Sequence, residues 1–199
     1  MKSVLISIQP KWCELIASGK KTVEVRKTRP NLGTPFKCYI YETKGKVERA
    51  GGEENGYHYQ EGRSAVIGEF VCDKIRWNSG SNLIVKEDRE AALHGSCLSR
   101  EELFSYLGIT PDTDVMDKRC EFYGWHISDL VIYGKPKKLK DFIRPSGGCC
   151  NEGKCAGCEF FDKGNGYNVE DDCLADFDTD MYSIVKSPPQ SWCYVEETE

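Results

Sequence analysis

The spacing of apolar and polar residues changes several times along the chain, and each change predicts an element. VLISIQ (4–9) is a run rich in apolar and β-branched residues, the signature of a strand. Pro10 then suits a first helical position, and Trp12, Leu15 and Ile16 recur at helical spacing before Gly19, a natural helix stop. From Thr22 the period becomes two: Val23 and Val25 face one way, and Thr22, Glu24 and Arg26 the other. A helix stop therefore feeds a short, half-buried strand whose polar face is densely charged.

FKCYIYET (36–43) reads as another strand, whereas residues 45–63 are polar and glycine-rich and predict a long loop or flap. SAVIGEFVCDKI (64–75) predicts one long strand, with Gly68 marking a bulge or a barrel bend. Ser99 and Glu102 form an S-x-x-E capping box before the helix ELFSYLG, stopped by Gly108. YGWHISDLVIY (123–133) returns to strand character and places Trp125 and His126 on opposite faces. KPKKLKDFIR (135–144) is strongly basic, and SWCYVE (191–196) is the last strand. Short strands with few helices and no internal repeat predict an α+β fold, a mostly antiparallel β-barrel flanked by two or three helices. The end of the first helix and the following strand then fall at a barrel mouth, a common ligand position.

Composition refines this picture. The 199 residues suffice for one core and a small extra module. No apolar run is long enough to cross a bilayer, and the N-terminal run lacks the length and cleavage site of a secretory leader, so a cytoplasmic protein with no membrane partner is expected. The net charge of −5 hides an asymmetry: residues 1–47 carry ten cations against Glu14, Glu24 and Glu42, while residues 145–187 carry nine acids against three lysines. The basic section suits an anionic partner such as nucleic acid; charges spread over a solvated face are the plainer reading.

Of eleven cysteines, Cys13, Cys38, Cys72, Cys97 and Cys120 lie singly in regular segments and are expected to act as small buried hydrophobes. Residues 145–187 form a separate cysteine-rich insertion. Cys155 and Cys158 make a C-x-x-C, and with Cys150 and Cys173 they supply four soft ligands for a structural Zn²⁺, Cys149 being an alternative to Cys150. Free thiols and a disulfide clip are the other readings. The segment is acidic and poor in aliphatic residues, so a metal would replace a missing core. Four thiolates leave no open coordination position, so no catalytic zinc is expected.

Gly19, Lys21 and Arg26 match the G-x-K-x-x-x-x-R signature of the ASCH domain family, within VLISIQPKWCELIASGKKTVEVRKTRP. IGEFVCDKI, YGWHISDL and PPQSWCYVE also resemble barrel strands of longer ASCH proteins from bacteria and their phages. The resemblance implies a PUA-like barrel over residues 1–144 and 188–199, interrupted by the insertion at 145–187. It also implies binding of RNA or a nucleotide in the cleft that holds the signature.

Some small bacterial members of that family are amidohydrolases acting on N4-acetylcytidine, in which the motif lysine activates a threonine three residues later. Here Lys21 carries over, but Glu24 occupies the threonine position. The resemblance leaves open whether this chain is an enzyme. If it is, Lys21, Glu24 and Thr22 are the candidate catalytic residues, with Glu69 a guess for the assisting carboxylate. Ribonuclease chemistry, drawing on Lys21, Glu24 or His126, ranks lower. As a binding module, Lys20, Lys21, Glu24 and Arg26 would meet phosphates or base edges, and Trp12 or Tyr41 would stack a base. The first reading is RNA or modified-nucleotide recognition. N4-acylcytidine hydrolysis comes second, and a phage-encoded adaptor that contacts a protein partner through the acidic insertion third.

Overall fold

A computed structural model describes residues 3–50, 57–79, 86–110, 113, 120–144 and 184–197. Eleven strands and three helices are described, and they make an α+β fold. They run β1 (Ser3–Ile8), α1 (Pro10–Ala17), β2 (Val23–Arg26), β3 (Phe36–Glu42), β4 (Lys46–Ala50), β5 (Tyr57–Glu61), β6 (Ala65–Cys72) and β7 (Ile75–Asn78). There follow α2 (Lys86–Leu93), α3 (Arg100–Leu107), β8 (Phe122–His126), β9 (Ser128–Lys137), a single 3₁₀ turn at Leu139–Asp141, β10 (Phe142–Ile143) and β11 (Trp192–Glu197).

A six-stranded sheet has the order β10-β11-β1-β3-β6-β9, and a three-stranded sheet the order β2-β8-β7. The chain passes between these two sheets four times, from β1 to β2, β2 to β3, β6 to β7 and β8 to β9, which curls them into a half-barrel. β1 pairs parallel to β3 and antiparallel to β11, so it runs through the middle of the large sheet. All six of its residues are buried, and this explains why its sequence shows an apolar run instead of alternation.

Alternate residues of β1 and β3 feed two cores. Val4, Ile6, Ile8, Phe36, Cys38 and Ile40 join Cys13 and Ile16 of α1 and Trp125 of β8 on one face. On the other, Leu5, Tyr39 and Tyr41 pack with Val66, Phe142, Val185 and Val195. A third cluster joins Val25 to Ala92, Leu103, Leu107 and Phe122, seating α2 and α3 on the small sheet.

Several expectations are met. α3 carries the full capping box, Ser99 Oγ accepting from Glu102 N and Glu102 from Ser99 N, and Gly108 ends it at φ 76°. Gly68 sits at a register shift, where a Cβ would lie 2.4 Å from the Val131 carbonyl oxygen. Trp125 is fully buried while His126 is exposed and paired to Asp73 at 2.6 Å.

Others are corrected. The 64–75 strand is two strands, β6 and β7, in different sheets, and 123–133 divides likewise at Ile127; an apolar run reads the same on both sides of a barrel corner. Residues 45–63 hold a two-stranded ladder, β4–β5, where a loop was expected. Among the described residues that ladder pairs with no third strand, so no apolar alternation announces it. Of the single cysteines, Cys97 is exposed at φ 58° instead of buried. Cys13, Cys38, Cys72 and Cys120 are buried as expected, and burial pushes the Cys72 thiol up to about 12. Cys149, Cys150, Cys155, Cys158 and Cys173, with nearly all of the 145–187 insertion, lie outside the described residues.

Candidate functional site

The site begins with the helix stop. Gly19 takes φ 73°, and the Lys21 amide donates to the Leu15 carbonyl at 2.9 Å, so the chain turns back on α1 before β2 starts. This turn sends Lys21 inward, to 2% exposure. Its Nζ donates to the Ser96 carbonyl at 2.6 Å, faces Glu24 Oε2 at 3.4 Å and lies 5.1 Å from the centre of the Trp12 ring.

Both faces of β2 are covered. Val25 packs against α2 and α3, while Glu24 and Arg26 point toward the space beside β1 and β11. Glu24 Oε1 meets the Arg26 guanidinium at 3.1 Å. Arg26 also donates to the Ser7 carbonyl at 2.5 Å and to Ser191 Oγ at 3.5 Å. Tyr106 of α3 lies near the same side chain; desolvation pushes its phenol up, against the pull of the Arg26 charge. Among the described residues two buried donors have no partner, Arg26 Nε and Trp125 Nε1, and Trp125 lies directly across the ladder from Glu24.

A second buried carboxylate is paired separately. Glu42, at the end of β3, is 7% exposed, accepts from the Arg63 amide at 2.9 Å and faces the Arg63 guanidinium at 3.7 Å. The Cys13 thiol is held far above its ordinary range by burial, with Glu42 and Glu24 adding to the effect, so it is an inert neighbour and no nucleophile.

Among the described residues a cleft lies near this cluster and is not lined by it. Its volume is about 280 Å³, and it is lined by Gln9, Pro10, Lys11, Thr43, Lys44 and Gly45. Trp12 links the two, since Lys11 Nζ lies 4.4 Å from its ring and Lys21 Nζ 5.1 Å. α3 is tied across the same region by the Lys11–Glu102 pair at 2.6 Å and by Lys27 Nζ donating to the Leu107 carbonyl.

Lys21, Glu24, Arg26 and Trp12 therefore come together. Lys20 is exposed, and its carbonyl takes the Cys97 thiol. Thr22 is exposed and sits against Gly95, where a Cβ would fall 2.4 Å from its hydroxyl oxygen. Tyr41 lies in the core on the opposite face of the large sheet. Glu69 hydrogen-bonds Tyr133 and Lys37 on that opposite face. Glu42, Tyr106 and the carbonyls of Ser7 and Ser96 were missed by sequence reasoning. Glu42 alone left a signal, a carboxylate ending an otherwise apolar strand. Among the described residues no group of three or more His, Cys, Asp and Glu converges as metal ligands would.

Residues 6–94 match the family model of the ASCH domain. This segment is an ASCH domain. Lys21, Glu24, Arg26 and Glu42 all lie within it. Three solved structures of the ASCH protein of Zymomonas mobilis resemble the chain. A tyrosine-to-phenylalanine mutant of that protein is 21% identical, covering 70% of this chain and 77% of its own, at a TM-score of 0.44. The unmutated protein is 22% identical over 69% and 73%, at 0.43. A serine-to-alanine mutant is 17% identical over 98% and 88%, at 0.49. No curated protein matches the chain. The ASCH segment is carried by an α+β half-barrel.

Proposed function

We propose that the ASCH cleft recognises RNA or a modified nucleotide. The observation that supports this is the buried Lys21–Glu24–Arg26 array with an unpartnered donor, Arg26 Nε, inside it. Buried donors without partners are rare in folded proteins, and a ligand acceptor would satisfy this one. A base carbonyl or a phosphate oxygen has the right chemistry, and Glu24, fixed by two cations, would accept from an exocyclic amino group. Trp12 offers a ring at the cleft edge, flanked by the ammonium groups of Lys11 and Lys21, on which a base would stack.

Deacylation of an N4-acylcytidine would need either a side-chain hydroxyl beside Lys21 or a water activated by Glu24, whose carboxylate is held by Lys21 and Arg26. The threonine hydroxyl nearest in sequence, on Thr22, sits against Gly95, and the partners of Lys21 are a carboxylate and a backbone carbonyl. The binding reading is therefore preferred.

The test is calorimetric titration of the purified protein with ribonucleotides, N4-acetylcytidine and a short single-stranded RNA, beside Arg26→Lys. Binding that weakens about tenfold in Arg26→Lys, the order of one charge-assisted hydrogen bond, supports the reading. Absence of binding to every probe overturns it. Release of cytidine from N4-acetylcytidine, lost in Lys21→Ala, would make the cleft an amidohydrolase site instead.

A further inference from the structure

A second basic surface lies on the face of the large sheet opposite to Lys21. β9 is an edge strand, and from Lys135 to Arg144 the chain places Lys135, Lys137, Lys138, Lys140 and Arg144 against the single carboxylate Asp141, in a protein of net charge −5. Lys135, Lys138 and Lys140 are exposed. Between them, Lys137 Nζ is 4.8 Å from the half-buried Tyr133 ring and 6.0 Å from that of Tyr39, a core residue, and Lys37 Nζ is 5.5 Å from Tyr39. The carboxylates within the patch are engaged. Glu69 takes Lys37 at 2.9 Å and the Tyr133 hydroxyl, and Asp141 accepts from the Lys138 amide at 2.9 Å.

Lysines and a proline on an edge strand also guard it against pairing with other chains. That role ends with the strand at Lys137, whereas the cations continue through the 3₁₀ turn to Arg144. A run of exposed cations that continues past the strand is an arrangement by which proteins track a nucleic-acid backbone without reading its sequence.

We propose that the β9 edge, from Lys135 to Lys140, is a second contact surface for single-stranded RNA, holding the backbone of a strand longer than the cleft itself accommodates. The inference rests on the nucleic-acid reading of the ASCH domain. It assigns sequence-independent affinity to this surface and leaves recognition of the base to the cleft.

The test compares wild type with a Lys135→Glu/Lys138→Glu/Lys140→Glu variant, whose three side chains are exposed. Melting curves establish that both are folded. Each is titrated with a twelve-nucleotide single-stranded RNA at several salt concentrations, with a mononucleotide, and with phosphatidylserine vesicles. The expected result is RNA affinity at least about tenfold lower in the variant, with the slope of log K against log salt shallower by about 2, three phosphate contacts at about 0.7 each. Mononucleotide binding is expected to be unchanged.

RNA affinity and slope equal to wild type, with mononucleotide still bound, would overturn this surface and leave the cleft reading intact. Loss of RNA binding in the variant, from a wild type that binds no mononucleotide, would keep the surface and remove the cleft. Wild-type binding to vesicles but not to RNA would overturn the proposal in favour of an anionic membrane surface.

Discussion

The carboxylate of Glu24 meets the guanidinium of Arg26 at 3.1 Å with both side chains only 9% exposed, two residues apart on one strand. On an open strand such a pair would contribute little. Here Arg26 is also fixed by the Ser7 carbonyl, and Glu24 by Lys21, so that three charges from one short segment are held without bulk water. Their geometry is set before any ligand arrives, as recognition of a polar ligand requires.

Removing the anion at the centre of this array is expected to damage the fold. Glu24→Ala leaves Lys21 and Arg26 facing each other's charge in a buried space. Loss of one partner of a buried pair costs about 3–5 kcal/mol. Urea unfolding of the variant would show this as a lower midpoint at an unchanged slope. A midpoint equal to wild type would mean that water reaches the array freely.

The capping box of α3 has a consequence for the site. Ser99→Ala removes the acceptor for the Glu102 amide and is expected to cost about 1 kcal/mol. The first turn of α3 carries Glu102, paired to Lys11 at the cleft, so that turn and the cleft are linked. Hydrogen exchange of α3 amides is expected to quicken in Ser99→Ala while the β1 and β3 amides stay protected. Equal acceleration in all three elements would mean that the helix does not open on its own.

Acid is expected to act on the opposite face of the sheet. Burial raises the Glu69 carboxyl, but the hydrogen bonds from Tyr133 and Lys37 outweigh it, so the group sits below its ordinary value of 4.5 when folded. A depressed carboxyl contributes stability that is fully present above the unfolded value and is lost as pH falls through the folded one. Melting temperature is therefore expected to drop below about pH 4.5, with a smaller drop in Tyr133→Phe, which lacks one of the donors. Identical acid profiles for the two proteins would remove Glu69 from the account.

The cysteine-rich insertion yields a prediction from sequence alone. One zinc per chain is expected by elemental analysis, with Cys155→Ser or Cys173→Ser losing it. Cys149→Ser and Cys150→Ser, made separately, would identify the fourth ligand. Full zinc retention in Cys155→Ser would exclude the C-x-x-C as a ligand pair.

The sequence by itself determined the elements whose cause is local. The stop at Gly19, the capping box at Ser99 and Glu102, and the two-residue period of Val23 to Arg26 are each written in a few neighbouring residues. Lys21, Glu24 and Arg26 could be singled out because a motif of fixed spacing needs no tertiary information.

Tertiary structure decided what those residues face. Alternation places Glu24 and Arg26 together but does not say whether their face meets water. The crossing of β1 and β11 beside β2, with α3 laid against its other side, buries them. Glu42, Tyr106 and the carbonyls of Ser7 and Ser96 arrive from distant parts of the chain, so no local pattern could announce them. Tyr41 shows the same limit: β3 is buried on both faces, and only the packing of two separate cores turns that ring away from the cleft. Burial of a charged strand is a property of what crosses it, and that is settled by chain topology, beyond the reach of local sequence.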